Sequence, residues 1–160
     1  MNRLTLIPMS LLVATLSAAP AYARAPGGFG LGLMIGDPTG ITGALRSGDT
    51  SVIQAQAGWS TVHDNVHLNV DYLYNLAILN APEAPNVSFP VYIGVGACLK
   101  LDDDNWYGDD EGVGVRVPLG LTILPRSAPL DFFLEVAPAV LILPETDVTV
   151  DGGVGARFYF

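Results

Sequence analysis

From about Gly28 onward, apolar side chains recur at every second position, and clusters of Gly, Pro, Asp, Asn and Ser interrupt the pattern. A two-residue period belongs to β-strands, whose successive side chains point to opposite faces. It is clearest over 66–76, where Val66, Leu68, Val70, Tyr72 and Tyr74 oppose His67, Asn69, Asp71, Leu73 and Asn75. Residues 28–36 set Phe29, Leu31, Leu33 and Ile35 against Gly28, Gly30, Gly32 and Met34, and residues 51–60 set Ile53, Ala55, Ala57 and Trp59 against Gln54, Gln56 and Gly58. Residues 112–124 set Val113, Val115, Val117, Leu119, Leu121 and Ile123 against Gly112, Gly114, Arg116, Pro118, Gly120 and Thr122. Further segments at 39–47, 89–101, 130–143 and 148–160 bring the expected strands to eight; 130–143 turns apolar on both faces toward its end.

The final segment, Gly152 to Phe160, ends on an aromatic residue, with Val154, Ala156, Phe158 and Phe160 on one face. An apolar terminal strand left unpaired would be an aggregation hazard, and ring closure removes it. Strands of about 9–11 residues span a bilayer when tilted, and an even number closes a small barrel. The expected fold is all-β: an eight-stranded antiparallel up-and-down transmembrane β-barrel with lipid against its apolar face.

Extending the alternation turns Arg46, Lys100, Arg116 and Arg157 inward. A Lys or Arg facing lipid at the midplane costs about 2–4 kcal/mol, whereas the interior of an eight-stranded barrel is just wide enough to be filled by side chains. Asp71 and Glu135 share the inward face, so a charged network of Asp71, Lys100, Arg116, Glu135 and Arg157 should plug the barrel and leave no open pore. Pro118 and Pro138 cannot donate to a ladder, and are expected at bulges or outside the membrane band. With both termini periplasmic, the outer loops fall near 36–40, 61–65, 102–111 and 144–152, and the periplasmic turns near 47–50, 80–88 and 125–129.

The amino terminus supports an exported chain: Met1-Asn2-Arg3 is short and positive, Leu4 to Ala18 is apolar, and Ala21-Tyr22-Ala23 is a small-x-small cleavage site. Residues 1–23 are thus expected to be a signal peptide, and residues 24–160 one barrel domain. Pro8 and Ser10 interrupt the apolar run, which is shorter than the roughly 20 residues of a membrane anchor. Cleavage removes one of seven basic residues and none of sixteen acidic ones, taking the formal net charge from −9 to −10. Such a balance makes nucleic acid an implausible partner. Half of the residues are hydrophobic and 14% are charged. No stretch after the leader reads as a membrane helix, so the apolar content again points to a barrel. Cys98 is the sole cysteine, which excludes an intrachain disulfide and suits a small buried side chain.

One loop stands out. Asp102, Asp103, Asp104, Asp109, Asp110 and Glu111 surround Trp106 and Tyr107. The oxygens would suit calcium, but the spacing misses the EF-hand pattern, so a solvated acidic loop is the expectation and no metal site is assigned. The aromatic pair suits interface anchors or contacts with an extracellular protein partner, and the residues do not choose between them. Ser60, His63 and Asp64 lie close in sequence and offer the serine, histidine and carboxylate that a lipid A-modifying barrel enzyme would use, yet neighbours in one loop do not make an oriented base and an oxyanion site. No catalytic residue and no cofactor are expected. The glycines form no phosphate-binding fingerprint; they leave room for side chains across a narrow barrel.

Gly36-Asp-Pro-Thr-Gly-Ile41, Val91-Tyr-Ile-Gly-Val-Gly96, Gly114-Val-Arg-Val-Pro-Leu-Gly120, Pro129-Leu-Asp-Phe-Phe-Leu-Glu135 and Gly152 to Phe160 together resemble a family of small outer-membrane barrels. Its best-discussed members are spirochaete surface proteins proposed to bind complement factor H. The resemblance implies an architecture similar to the OmpA transmembrane domain and OmpX. Factor H binding does not carry over, because no residues here match a binding motif. The carboxy-terminal strand resembles the signal read by the barrel-assembly machinery, which implies residence in the bacterial outer membrane, with outer-membrane lipid as a partner. The expected function is a structural or surface-interaction role. The alternative is a secreted lipocalin-like carrier of a small apolar ligand, which would turn Arg116, Glu135 and Arg157 outward.

Overall fold

The computed structural model describes residues 28–48, 50–60, 65–102 and 112–160. The expected signal peptide and its cleavage site lie outside the described residues. Among the described residues nine strands are formed: β1 (Gly28–Asp37), β2 (Thr39–Ser47), β3 (Ser51–Ser60), β4 (Asn65–Asn80), β5 (Val87–Asp102), β6 (Gly112–Arg116), β7 (Leu119–Pro125), β8 (Leu130–Leu143) and β9 (Asp147–Tyr159). All belong to one antiparallel sheet, in which β1 pairs with both β2 and β9 and the β4–β5 pairing joins the two halves into a ring. The fold is an all-β antiparallel barrel.

The count differs from eight because the segment expected over 112–124 is split. Its halves, β6 and β7, occupy one place in the ring, each lying between β5 and β8. Two prolines explain the split. Gly94 N donates to Pro118 O at 2.7 Å and Val117 N to Pro138 O at 2.9 Å, so the sheet's hydrogen bonding across the gap is kept by carbonyls that proline still possesses. A residue in an antiparallel strand points its N–H and C=O to the same side. The absent donor of Pro138 therefore faces Val117, and that of Pro118 faces Gly94. Pro118 thus sits at a strand break, while Pro138 stands inside β8 in an unshifted part of the β8–β9 register. The expectation of a bulge fails for Pro138; the register shifts occur between Asn75 and Ala77 and between Val113 and Gly114.

Alternation decides the rest. On β8, every second residue from Asp131 to Ala139 is buried, and Phe132, Leu134, Val136, Pro138 and Val140 are exposed. On β4, His67, Asn69, Asp71 and Leu73 are buried while Leu68, Val70, Tyr72 and Tyr74 are exposed. β9 is bonded on both sides, with Phe160 N donating to Phe29 O at 2.9 Å and Tyr159 N to Pro129 O at 2.8 Å. The apolar ending is therefore not an open edge. Phe158 and Phe160 meet edge to face at 5.2 Å between ring centres.

Glycine on the inward face makes room for larger neighbours. A Cβ on Gly120 would collide with the Tyr92 ring and hydroxyl, and one on Gly155 with the Phe133 ring. Tyr92 and Phe133 are consequently folded into the lumen, 2% and 3% exposed.

Candidate functional site

The distinctive site is the barrel interior, where the inward faces of β2, β3, β4, β5, β6, β8 and β9 place charged and amide side chains together. Arg116, the largest fully buried side chain, stands at the centre. Its Nη2 lies 2.7 Å from Glu135 Oε1, its Nε 3.2 Å from Asp71 Oδ1, and its Nη1 3.8 Å from Asp151 Oδ2. Glu135 also accepts from Tyr92 Oη at 2.8 Å, Gln54 Nε2 at 2.9 Å and Gln56 Nε2 at 3.1 Å. Toward the end at which β3 and β5 finish, Lys100 Nζ meets Asp151 Oδ1 at 3.2 Å and donates to Thr149 Oγ1 at 3.1 Å, while His67 Nδ1 lies 3.9 Å from Asp151.

Toward the end carrying the terminal residues of β1 and β9, Asp131 is the hub. Arg157 Nε lies 3.1 Å from its Oδ1, Tyr159 Oη donates to its Oδ2 at 2.6 Å, and Arg46 Nη2 approaches the same oxygen at 3.4 Å. Gln54 ties the two hubs together, accepting from Arg157 Nη1 at 2.8 Å and donating to both Glu135 and Asp71. The Arg157 guanidinium also lies over the Phe133 ring, 4.2 Å from its centre.

Among the described buried residues, Arg46, Lys100, Arg116 and Arg157 are matched in number by Asp71, Asp131, Glu135 and Asp151. Isolated charges could not be held so far from water, and mutual pairing with amide and hydroxyl support makes the arrangement tolerable. The paired groups meet inside the barrel, with Arg116, Asp131, Glu135 and Arg157 each at most 2% exposed.

All five charged residues selected from the sequence are buried here, but not in one direct contact set. Arg116 touches Asp71 and Glu135 directly, Lys100 joins them only through Asp151, and Arg157 pairs with Asp131 and reaches Glu135 through Gln54. Asp131, Asp151, Tyr92 and Tyr159 were missing from the expected network. Asp131 and Asp151 had a usable signal, because each shares the parity of a residue in it: Asp131 that of Glu135, and Asp151 that of Arg157. Of the residues expected to form an assembly signal, Val154, Ala156 and Phe158 lie on β9 and Phe160 directly follows it, with Val154 and Phe160 exposed and Ala156 and Phe158 half-buried. Asp102 ends β5. Asp103, Asp104, Trp106, Tyr107, Asp109, Asp110 and Glu111 lie outside the described residues, as do His63 and Asp64. Ser60 is buried on the inward face of β3.

Comparison with protein-family models, with curated proteins and with solved structures gave no match. The functional argument therefore rests on the fold and on this interior.

Proposed function

We propose that the chain is an outer-membrane β-barrel with a structural or surface-interaction role, exported by its leader and closed to ion flow. One observation carries the reading: the barrel is inside out relative to a protein in water. Leu33, Ile35, Val70, Val95, Val150 and Phe160 are 58–78% exposed, whereas Arg116, Asp131, Glu135 and Arg157 are at most 2% exposed. Lipid supplies the apolar partner that such a surface lacks, and strand pairing around the ring satisfies the backbone without water. A soluble carrier of an apolar ligand needs the opposite facing, with its charges in solvent and its lumen apolar. The resemblance of the carboxy-terminal strand to an assembly signal supports the same compartment.

Membrane fractionation with electrophoresis of heated and unheated samples tests the proposal. Recovery with outer membranes and a heat-dependent shift in migration are expected; recovery in the soluble periplasmic fraction would overturn the reading.

A further inference from the structure

A cavity lies at the end of the barrel that carries the first residues of β1 and the last of β9. It has a volume of about 440 Å³ and is lined by Arg46, Ile78, Asn80, Ser88, Pro90, Leu124 and Arg126. Two guanidinium groups thus share a lining with no carboxylate in it, on a chain whose net charge is −9. Arg126, exposed at the β7–β8 turn, is held by donating Nε–H to Ser88 Oγ at 3.2 Å and Nη2–H to Asn80 Oδ1 at 3.3 Å. Those two bonds orient the fork, whose five donors leave others for a ligand.

Arg46 supplies the second, independent observation. It is 9% exposed, and its buried Nε has no hydrogen-bond partner. Its Nη2 makes long contacts, 3.4 Å to Asp131 Oδ2 and 3.5 Å to Tyr159 Oη, and the guanidinium lies over the Tyr159 ring at 5.4 Å from its centre. Asp131 is moreover shared with Arg157 at 3.1 Å, so two cations divide one carboxylate at this end. At the other end of the network, Arg116 and Lys100 face Asp71, Glu135 and Asp151. The ion network is therefore polarised along the barrel, with its cationic excess beside the cavity, and Arg126 adds to that excess.

We infer that this cavity binds a phosphate group, held by the Arg46 and Arg126 guanidiniums. Planar guanidiniums match phosphate oxygens through paired N–H bonds. Ile78, Pro90 and Leu124 supply an apolar flank for whatever carries the phosphate, as a lipid headgroup with its chains or as nothing more than free phosphate. The site follows from the cavity alone and does not depend on the membrane in which the barrel resides.

The test uses the barrel folded in a maltoside detergent, which has no phosphate of its own, and follows the arginine side-chain Nε–Hε signals by NMR. Inorganic phosphate and dihexanoyl phosphatidic acid are titrated separately, with sodium chloride at matched ionic strength as the control. Saturable shifts of the Arg46 and Arg126 signals are expected, weakened at least tenfold by Arg126→Gln, an exposed change that spares the interior. Tighter binding of the lipid would assign the source to a headgroup, and equal binding would assign it to free phosphate. The inference is overturned by no saturable shift with either probe, by equal shifts with chloride, or by undiminished binding in Arg126→Gln. Arg46→Lys, which keeps the charge but not the fork, should also weaken binding, and retention of the wild-type fold by circular dichroism qualifies that variant for the comparison.

Discussion

Arg116 Nη2 meets Glu135 Oε1 at 2.7 Å although the ladder sets Ala139, four residues further along β8, opposite Arg116. The guanidinium therefore reaches along the lumen past the inward position of Ala137 to find its carboxylate. Glu135 in turn collects three neutral donors, from Tyr92, Gln54 and Gln56. Removing this one carboxylate leaves Arg116 with Asp71 and Asp151 but strips a charged acceptor from four groups at once. Glu135→Ala should destabilise the folded barrel by about 3–5 kcal/mol, the usual cost of breaking a buried pair from one side. Glu145→Ala, at an exposed position, should change stability by less than about 1 kcal/mol. Denaturant titration in detergent compares them; equal midpoints for both variants and wild type would contradict the burial of Glu135.

Gly120 is predicted to be as sensitive as a charged residue, for a steric reason. A Cβ there would strike the Tyr92 ring and hydroxyl, and that hydroxyl donates to Glu135 at 2.8 Å. Gly120→Val should displace Tyr92 and cost about 1–3 kcal/mol by overpacking, with the lost hydrogen bond added. The combined Gly120→Val, Tyr92→Ala variant should recover part of the overpacking loss. A double-mutant cycle measures it, and strict additivity would show that the two positions do not touch.

Which face each residue takes was legible in the sequence, because the two-residue period needs only local information. The Phe132/Phe133 pair illustrates it: the former is exposed and the latter buried under Arg157, as alternation demands. What alternation cannot supply is height along the barrel. Arg157 and Glu135 share the inward face, yet the register sets Asp131 opposite Arg157, and Glu135 is four residues away, about 13 Å along a strand. Register is set by stagger around the whole ring, which no single segment encodes. Asp151 was legible by its parity with Arg157, but it fell where the expected strand 148–160 overlaps the expected outer loop 144–152, whereas β9 begins at Asp147 and carries Asp151, Gly152 and Gly153 inside the sheet. The split of 112–124 was likewise legible only in part: Pro118 and Pro138 were known obstacles, but their juxtaposition across one ladder was not.

A lumen occupied by paired side chains should not conduct. Arg116, Glu135, Asp131 and Arg157 are each at most 2% exposed and are bridged by Gln54. Purified barrel reconstituted into planar bilayers is expected to give no steady current steps under applied voltage, since conduction needs a continuous path for hydrated ions. Reproducible ohmic steps that scale with protein concentration would contradict the filled interior. The measurement also separates a closed barrel from a porin independently of any fractionation result.

The terminal strand yields the last prediction. β9 closes the ring by pairing with β1 and β8, and Phe160, 78% exposed, is attached by its backbone N–H to Phe29 O while its ring meets Phe158 edge to face. Little core packing is therefore lost when the ring is removed. Phe160→Ala should lower the denaturant midpoint only slightly, by the equivalent of less than about 1 kcal/mol for a largely exposed side chain. If the aromatic ending is read during insertion, the same substitution should cut the yield of assembled barrel in cells severalfold. The contrast between a near-normal midpoint after refolding in detergent and a depressed cellular yield isolates an assembly role from a stability role. Heat-modifiable protein in membranes, quantified against total expressed chain, supplies the yield; an undiminished fraction for Phe160→Ala would remove the terminal aromatic from the assembly signal.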